Sequence, residues 1–473
     1  MTKKPKIALF VGDHTRDLPG LVLLAWELCR RGATCYLVPY RKGQEEVWAL
    51  APDFVLLNVM RPNQVRQTRQ FIEAGIQFGL LDTEGVVWSS MDEYTQTLWE
   101  DWELSHMANC ICLWGPKVAE HTLSAGAFTK EQSFVTGSPR FDFYVEPLSS
   151  VYKNLENAAS GKRKSVLLNT NFTIANAGHL PYPEVIDAHV DTYGYSREET
   201  LGWYKNGLQA IDSMSDLANN LANDFPEIDV IVRPHPEERI ATYKEKLSQK
   251  SNIKLTNAGY VAPWILSAVA VIQRSCTTAV EAALAGIPAF SPQWIPAACY
   301  YPIPESVSDP IVNYDDLRSS LRALLDGKYV VPNGIKGRIG SVTEDWFNRI
   351  DGRAYQRVAD AILDSLSAET EPDKRLCRRF LYRIPSPGSN LKANPGDRIR
   401  HFLNLPSRFA FREMRSFYNT KMDDRFNEKS VAELAKRISG ALGGHEVRIT
   451  RANDSGAYLQ PRYRGRTIIM ETC

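Results

Sequence analysis

The sequence predicts an α/β protein built from two doubly wound halves. From Lys6 onward, short apolar runs alternate with segments of helical periodicity, which is typical of a parallel sheet with right-handed crossovers. The alternation starts again at Ser165, after a stretch between residues 145 and 164 that is rich in Ser, Asn, Lys and Gly. A chain of 473 residues is also too long for one ordinary core, so two or three domains are expected.

The first half contains the elements of one sheet. Its predicted strands are 6–13, 33–40, 53–59, a run that begins at Ile76, 108–115 and 132–137. Its predicted helices are 21–32, 63–75 and 116–126. The first predicted strand is not followed by Gly-x-Gly-x-x-Gly, which argues against a nicotinamide-binding domain.

The second half repeats this arrangement. Its predicted strands are 165–172, 230–236 and 268–273, and its predicted helices are 196–225 and 277–285. The insert 173–200 is predicted to be a loop over the mouth of a cleft. A further helix over 355–367 either closes the second half or packs back on the first.

Polar residues follow two neighbouring strands of the second half. His235 ends one of them, and Ser275, Thr277 and Thr278 stand where they can cap the helix after the other, with Glu281 in its first turns. Ligands of an open α/β sheet bind at the carboxyl ends of its strands, and a helix N-terminus attracts phosphate. The pattern therefore indicates a phosphate-binding site.

These motifs resemble the donor half of GT-B glycosyltransferases. The Arg-Pro-His-Pro turn at 233–236 and the Ser-x-Thr-x-x-x-Glu-Ala-x-x-x-Gly-x-Pro segment at 275–288 are similar to bacterial surface-carbohydrate enzymes with cytidine-activated donors, as is Gly-x-Pro-Arg-Phe-Asp at 137–142. Those enzymes include Kdo and sialyltransferase-like enzymes and the polyol-phosphate transferases of teichoic acid synthesis. The resemblance implies two Rossmann-like domains facing a cleft, with a CMP-sugar as donor substrate and no separate cofactor.

The resemblance also implies which residues hold the nucleotide. Glu281 would lie near the ribose. The remaining nucleotide-binding residues would be Arg233, His235, Pro236, Ser275, Thr277 and Thr278. No metal is required if His235, Arg233 and a helix terminus neutralise the leaving phosphate.

An acidic segment directly after a predicted strand is the candidate for the reacting carboxylate. Asp82-Thr83-Glu84-Gly85 resembles the acidic element of the same enzymes, so either Glu84 or Asp82 would act as general base or nucleophile. Arg16 stands in an Arg-Asp-Leu sequence that such enzymes often carry. It would hold the carboxylate of an acidic sugar.

Several functions remain open at this point. The leading hypothesis is transfer of an acidic sugar, Kdo or a related nonulosonic acid, from CMP to a surface polysaccharide or glycolipid. The alternatives are a CDP-glycerol or CDP-ribitol phosphotransferase, a nucleotide-sugar 2-epimerase, and an inactive scaffold of a polysaccharide complex.

The C-terminal region has a different composition. Eleven Lys or Arg residues lie between Lys374 and Tyr418, interleaved with aromatic residues, although the whole chain has a net charge of only +1. This composition favours either peripheral contact with the anionic inner membrane or an anionic acceptor; a solvated flank of a small domain is the other interpretation. A helix and two strands are predicted after it, which together would form a small α+β appendage.

The remaining features predict a cytoplasmic protein without nucleic-acid partners. The eight cysteines include no Cys-x-x-Cys pair, and no apolar run reaches the roughly 18 residues of a membrane span. The predicted domain boundaries are 1–145 for an acceptor and catalytic domain, 163–350 for the donor domain, 351–370 for a closing helix and 371–473 for the basic appendage.

Overall fold

The computed structural model describes residues 4–40, 45–84, 90–98, 101–153, 163–178, 181–193, 195–366, 370–383, 426–460 and 465–473. These residues form two compact units. The first unit takes its residues from 1–85, 90–142 and 345–473, and the second from 86–89 and 143–344.

Strands and helices alternate through most of the chain, as the apolar pattern predicts. The strands are β1 (Lys6–Val11), β2 (Thr34–Pro39), β3 (Phe54–Leu57), β4 (Gln77–Leu81), β5 (Cys110–Leu113), β6 (Ser133–Val135), β7 (Ser165–Asn169), β8 (Asp229–Arg233), β9 (Ile253–Leu255), β10 (Ala268–Ile272), β11 (Ala289–Pro292), β12 (Asp309–Ile311), β13 (Val447–Arg451) and β14 (Ile468–Thr472).

The helices of both units vary widely in length, and the longest among the described residues belongs to the second unit. In chain order, the helices are α1 (Leu18–Arg30), α2 (Glu46–Leu50), α3 (Val65–Glu73), α4 (Met91–Thr97), α5 (Trp102–Ser105), α6 (Pro116–Ser124), α7 (Ser150–Lys153), α8 (Glu184–Tyr193), α9 (Arg197–Asp224), α10 (Ile240–Lys246), α11 (Val261–Ser267), α12 (Thr278–Leu284), α13 (Pro302–Ser306), α14 (Tyr314–Leu325), α15 (Asn333–Phe347), α16 (Ala354–Ser365), α17 (Lys374–Arg383) and α18 (Glu428–Leu442).

The first unit is organised around an eight-stranded sheet in the order β13-β14-β2-β1-β3-β4-β5-β6. Strands β1 to β6 are parallel to their neighbours. The chain moves from β1 to β2 on one side and then returns to β3 on the other. The strand order therefore reverses between β1 and β3, and such a switch point is where open α/β sheets bind ligands.

The C-terminal strands belong to this first sheet. Strand β14 pairs antiparallel with β2, and β13 pairs antiparallel with β14. The helix and two strands that the sequence predicts are therefore present, but they do not form a separate appendage. The physical reason is the edge of β2, whose backbone groups β14 covers.

The beginning of the basic C-terminal region also packs on the first unit. Phe380 and Leu381 of α17 are buried, and the Phe380 ring lies 5.0 Å from the Trp48 ring of α2. Two of the apolar residues that suggested a membrane surface are thus part of the core. The basic residues between Lys392 and Arg415 lie outside the described residues.

The second unit contains a fully parallel six-stranded sheet in the order β12-β11-β10-β7-β8-β9. The chain runs β7, β8, β9 to one edge and then returns to β10, next to β7. The switch point of this sheet therefore lies between β7 and β10. The long helix α9 covers one face through residues such as Ile211, Leu217 and Leu221, which are nearly inaccessible to solvent.

The insert 173–200 contains regular structure, contrary to the prediction of a loop. Helix α8 lies within it, and Val185 and Ile186 of this helix form a small buried cluster with Ile174 and Ala177. The prediction failed because the apolar positions in this segment are few and are separated by tyrosines, prolines and acidic residues.

Helix α16 packs back on the first unit, which resolves the alternative that the sequence left open. Asp142 fixes its N-terminus, because the carboxylate accepts hydrogen bonds from the backbone N–H groups of Ala354 (3.0 Å) and Tyr355 (2.8 Å). The Arg-Phe-Asp turn is therefore a structural element of the first unit.

Among the described residues, no helix is both long enough and apolar enough to cross a membrane.

Replacing Asp142 with Ala should lower the free energy of unfolding by about 1–2 kcal/mol, the range for losing a helix N-cap.

Burial raises the pKa of Asp142 to about 7, against the lowering effect of the two N–H donors. Because the folded-state pKa exceeds the ordinary value of about 3.9, the wild-type protein should lose stability as pH rises from about 4 to 7. D142A should lack this part of the pH dependence. Urea unfolding across that pH range measures both effects.

Asp364 supplies the control for this experiment, because it lies on the same helix and is exposed. D364A should change the free energy of unfolding by less than about 0.5 kcal/mol. Equal stability of D142A and D364A would contradict the assigned role of Asp142.

Candidate functional site

Asp82 and Glu84 follow β4 but have different environments. Asp82 is 3% exposed, whereas the Glu84 side chain is 37% exposed. The Asp82 carboxylate accepts hydrogen bonds from the Glu84 backbone N–H (2.9 Å) and the Tyr94 hydroxyl (3.1 Å). Burial raises the pKa of the Asp82 carboxyl, the Arg61 guanidinium opposes this shift, and Glu84 adds to it. Asp82 therefore fixes the turn, and Glu84 is the carboxylate that a substrate can reach.

Two arginines contact the Glu84 carboxylate. Arg16 Nη1 lies 3.4 Å from Glu84 Oε1, and Arg61 Nη2 lies 3.8 Å from Oε2. Arg16 also forms an ion pair with Asp17, whose Oδ1 lies 2.7 Å from Arg16 Nε. Burial alone would lower the pKa of Arg16. The carboxylates of Asp17 and Glu84 outweigh this effect and raise the pKa well above its usual value. The structure thus brings together two of the predicted residues, Arg16 and Glu84, with one that the prediction missed, Arg61.

The loop after β8 presents His235. Its ring Nδ1 accepts a hydrogen bond from the Glu237 backbone N–H (3.2 Å), so the neutral ring carries its proton on Nε2. His235 is partly exposed, as is Pro236 in the turn beside it. An imidazole in this state can donate its Nε2–H to an oxygen of a ligand.

A buried carboxylate holds this loop in place. Glu238 is 4% exposed. It accepts hydrogen bonds from Thr170 Oγ1 (2.6 Å), Phe172 N (3.2 Å), Asn176 Nδ2 (3.4 Å), His235 N (3.1 Å) and Tyr243 OH (2.5 Å). Because the donors come from the loops after both β7 and β8, Glu238 fixes the two loops against each other.

Arg233 has a structural role that the motif did not reveal. It is 5% exposed, and its guanidinium donates to the carbonyl oxygens of Ala258 (2.8 Å) and Gly259 (2.7 Å). The guanidinium carbon also lies 6.0 Å from the centre of the Trp264 ring. Arg233 therefore anchors the loop after β9. The phosphate contact that the resemblance implied stays a prediction.

Ser275 is likewise occupied within the protein. It has a φ of +53° and is 1% exposed. Its backbone N–H (2.6 Å) and its hydroxyl (3.0 Å) both donate to Glu305 Oε1. Glu305 also forms a buried ion pair with Arg274 at 2.6 Å. Burial alone would raise the pKa of Glu305. The hydrogen-bond donors to its carboxylate and the Arg274 charge outweigh this effect and lower the pKa.

The start of α12 differs in detail from the prediction. Thr277 is the N-cap, but its side chain makes no capping hydrogen bond, and Thr278 Oγ1 lies 3.2 Å from the Cys276 sulfur. Both threonines are partly exposed. Glu281 is 5% exposed, and its carboxylate accepts a hydrogen bond from the Tyr144 hydroxyl. Of these predicted residues, the threonines and not Ser275 present side chains to solvent.

The switch points of both sheets carry a buried asparagine that the sequence reasoning missed. Asn58 follows β3 and is 7% exposed, and Asn169 ends β7 and is 3% exposed. Among the described residues, neither Asn58 Oδ1 nor Asn169 Nδ2 has a hydrogen-bond partner. The rule that selected Asp82 and His235, a polar residue directly after a buried strand, would have selected both asparagines.

Comparisons with known proteins identify the fold. A scan against protein-family models finds no matching family, and a search of the curated proteins finds no relative. Two structures of a histidine-to-asparagine variant of the wall teichoic acid polymerase TagF, one of them soaked with CDPG, match with TM-scores of 0.50 at 12% and 11% identity. Each match covers 77% of this chain and 89% of the TagF chain. The UDP-GlcNAc 2-epimerase from Neisseria meningitidis bound to UDP-GlcNAc gives a TM-score of 0.48 at 13% identity, over 76% of this chain and 100% of that one.

The chain has the GT-B type of α/β fold. This conclusion confirms the predicted fold class of two Rossmann-like units. At these identities the similarity establishes the fold alone, so the activity has to be argued from the residues of this chain.

Ser275 gives a test of the geometry of this site. Left-handed backbone costs a residue with a Cβ roughly 1 kcal/mol or more, and glycine escapes that cost. Both S275A and S275G lose the hydroxyl bond to Glu305, but only S275A keeps the Cβ. S275G should therefore be at least as stable as S275A, measured by urea unfolding.

Ser215 is the control, because it is a buried serine in the middle of α9. There S215G should be less stable than S215A by about 0.5–1 kcal/mol. If Ser275 showed the same order as Ser215, the left-handed turn would be refuted.

Proposed function

We propose that this protein transfers an acidic sugar, Kdo or a related nonulosonic acid, from a CMP-activated donor to a cell-surface polysaccharide or glycolipid. The observation that carries the proposal is the set of polar side chains at the switch point of the second sheet. Asn169 ends β7, and Thr277 and Thr278 follow β10, the strand beside it. His235 follows β8 on the other side of β7.

These side chains suit the phosphate and ribose of a nucleotide. The His235 Nε2–H and the two threonine hydroxyls donate to phosphate oxygens. The buried Asn169 amide would gain a ligand oxygen as acceptor for its Nδ2 group, which has no acceptor among the described residues. A hydrogen bond to a charged group contributes about 1.5–3 kcal/mol, more than one between neutral groups.

The first unit supplies the reacting carboxylate in this proposal. Glu84 takes the proton of the acceptor hydroxyl while the hydroxyl oxygen bonds to the anomeric carbon of the donor. The bond from that carbon to the phosphate oxygen breaks, and CMP leaves with the electron pair. Arg16 and Arg61, which both contact Glu84, orient the carboxylate of the acidic sugar, because guanidinium groups match carboxylates in geometry and charge.

The second candidate is transfer of a polyol phosphate from a CDP-alcohol. The observation that favours it is the TagF match, since one of those structures was soaked with CDPG. Both candidate reactions release CMP, so a CMP-release assay detects either of them. Comparing CMP-Kdo with CDP-glycerol as the donor then separates the two.

Cytidine nucleotides should stabilise the protein more than UDP or GDP in a thermal-shift experiment, because a ligand that binds only the folded state raises the melting temperature. H235A should weaken CMP binding by about 1.5–3 kcal/mol, the range for a hydrogen bond to a charged group. Calorimetric titration with CMP measures the difference.

His189 provides the matched control in the same unit, because its Nδ1 lies 2.8 Å from the Val185 carbonyl on its own helix. H189A should leave the CMP affinity unchanged. A larger shift with UDP than with CMP or CDP would refute cytidine specificity, and an unchanged affinity in H235A would refute the role of His235.

E84Q should lower kcat by about 10²- to 10⁴-fold, which is the usual contribution of a general base. Its CMP affinity and melting temperature should stay near wild type, since the side chain is partly exposed and the nucleotide is assigned to the second unit. D82N should lower the melting temperature as well as the rate, because the buried Asp82 carboxylate orders the turn. CMP release from CMP-Kdo, with a panel of glycoside acceptors, gives the rates.

Glu103 is an exposed carboxylate of the first unit, so E103Q serves as the control and should retain full activity. Wild-type turnover by E84Q would show that the reacting carboxylate lies elsewhere. A loss of CMP affinity in E84Q as large as its loss of rate would contradict the assignment of the nucleotide to the second unit.

A further inference from the structure

A pocket of the second unit lies between the insert 173–200, the N-terminal half of α9 and the loop after β8. The residues that line it include Ile174, Asn176, Tyr182, Val185, Tyr204 and Arg239. Among the described residues, the lining includes none of those assigned to the nucleotide. Its volume is about 130 Å³. Because a cavity of about 150 Å³ takes one benzene molecule, this pocket has room for a group of the size of phosphate.

The loops on two sides of this pocket are fixed to each other. Arg239 N donates to the Asn176 carbonyl (2.9 Å), and Gly178 N donates to the Glu237 carbonyl (2.7 Å). Asn176 is 6% exposed. Its side-chain amide donates to the Arg239 carbonyl (3.2 Å) and accepts from Thr242 Oγ1 (2.7 Å). A ligand therefore meets walls that are already in place, which lowers the entropy cost of binding.

Arg239 gives the pocket a positive charge. Among the described residues, its guanidinium donates to the Ala177 carbonyl (3.3 Å) and forms no ion pair, and the described lining contains no Asp or Glu. The neighbouring Glu238 carboxylate is buried and accepts from five donors of its own. Because a guanidinium has five N–H donors in a fork that matches phosphate and carboxylate, Arg239 retains donors for an anionic ligand.

Two tyrosines add hydroxyl groups to the lining. The Tyr182 and Tyr204 rings lie 4.7 Å apart, and no hydrogen bond engages either phenol hydroxyl among the described residues. Together with Arg239 they provide three donor side chains. A phosphate ester carries three terminal acceptor oxygens, one more than a carboxylate. Ile174 and Val185 are apolar and 6% and 4% exposed, so they suit the hydrocarbon part of an ester.

We propose that this pocket binds the phosphate group of a small phosphate ester, with Arg239 as the cation and Tyr182 and Tyr204 as hydroxyl donors. Because the nucleotide is assigned to other residues, such a ligand would bind in addition to the donor and goes beyond the proposed function. Arg239 and His235 belong to the same loop. A phosphate on Arg239 would therefore also stabilise the loop that presents His235.

Fluorine NMR of the fluorotyrosine-labelled protein tests the pocket directly. The Tyr204 resonance is the one that Y204F lacks, and Y182F assigns Tyr182 in the same way if Y204F does not fold. Inorganic phosphate and glycerol phosphate should shift these resonances saturably, whereas sodium chloride of equal ionic strength should not. R239Q should weaken the phosphate response by about 10-fold or more, as expected for lost hydrogen bonds to a charged group. No saturable shift, or an equal affinity in R239Q, would overturn the proposal.

Arg322 and Tyr300 provide matched controls in the same unit. Arg322 is about as exposed as an ordinary surface arginine and is paired with Glu227 at 2.7 Å, so R322Q should bind phosphate like the wild-type protein. Tyr300 is 60% exposed and does not line the pocket. A phosphate-dependent shift of the Tyr300 resonance as large as that of Tyr204 would indicate general ion binding and refute the site.

Two further comparisons define the ligand and separate this site from the donor site. Acetate should give a weaker response than phosphate, and an equal response would overturn the assignment to phosphate. H235A should retain the phosphate response of Tyr204, because His235 does not line the pocket; its loss would show that the phosphate binds at the donor site instead. A normal phosphate response in a wild-type protein that binds no CMP would refute the proposed function alone.

Discussion

The loops of the second unit depend most on the hydrogen bonds that the Glu238 carboxylate accepts. A parallel sheet leaves irregular loops at the carboxyl ends of its strands, and the backbone N–H groups of those loops need acceptors. Glu238 accepts from side-chain and backbone donors after both β7 and β8. A lost hydrogen bond that leaves a buried polar group unsatisfied costs about 1–3 kcal/mol, so a loop that moved away from Glu238 would be disfavoured. His235 owes its fixed position to this carboxylate.

Buried carboxylates also hold other loops of both sheets in place. Glu305 fixes the turn after β10 through Ser275 and Arg274, and Asp82 fixes the turn after β4 through Glu84 N and Tyr94. In each case, a buried acid orders the backbone. More exposed side chains, such as that of Glu84, lie within a few residues of these buried acids. Preorganised loops of this kind lower the entropy cost of binding.

The sequence predicts most of the fold and only part of the site, and the reason is the range of the interactions involved. Strand and helix patterns are local, so β8, β10 and α12 could be placed from their apolar runs and breakers. The roles of Arg233 and Ser275 depend on partners 25 to 30 residues away, at Ala258 and Glu305. No local pattern distinguishes a phosphate-binding serine from one that bonds to a distant carboxylate. The motif therefore located the loops after β8 and β10, but it could not show that Arg233 and Ser275 are hydrogen-bonded within the protein.

The end of the chain shows why a compositional boundary differs from a structural one. Glu46, which is 2% exposed, accepts hydrogen bonds from Tyr458 OH (2.6 Å), Arg466 N (2.9 Å) and Thr467 N (2.9 Å). Together with the pairing of β14 on β2, these bonds join the C-terminal region to the first sheet. Deleting everything after residue 371 would expose the edge of β2 and remove these hydrogen-bond donors to the Glu46 side chain. The membrane hypothesis for the basic segment is therefore better examined by neutralising its charges between residues 392 and 415, since such changes leave β13 and β14 in place.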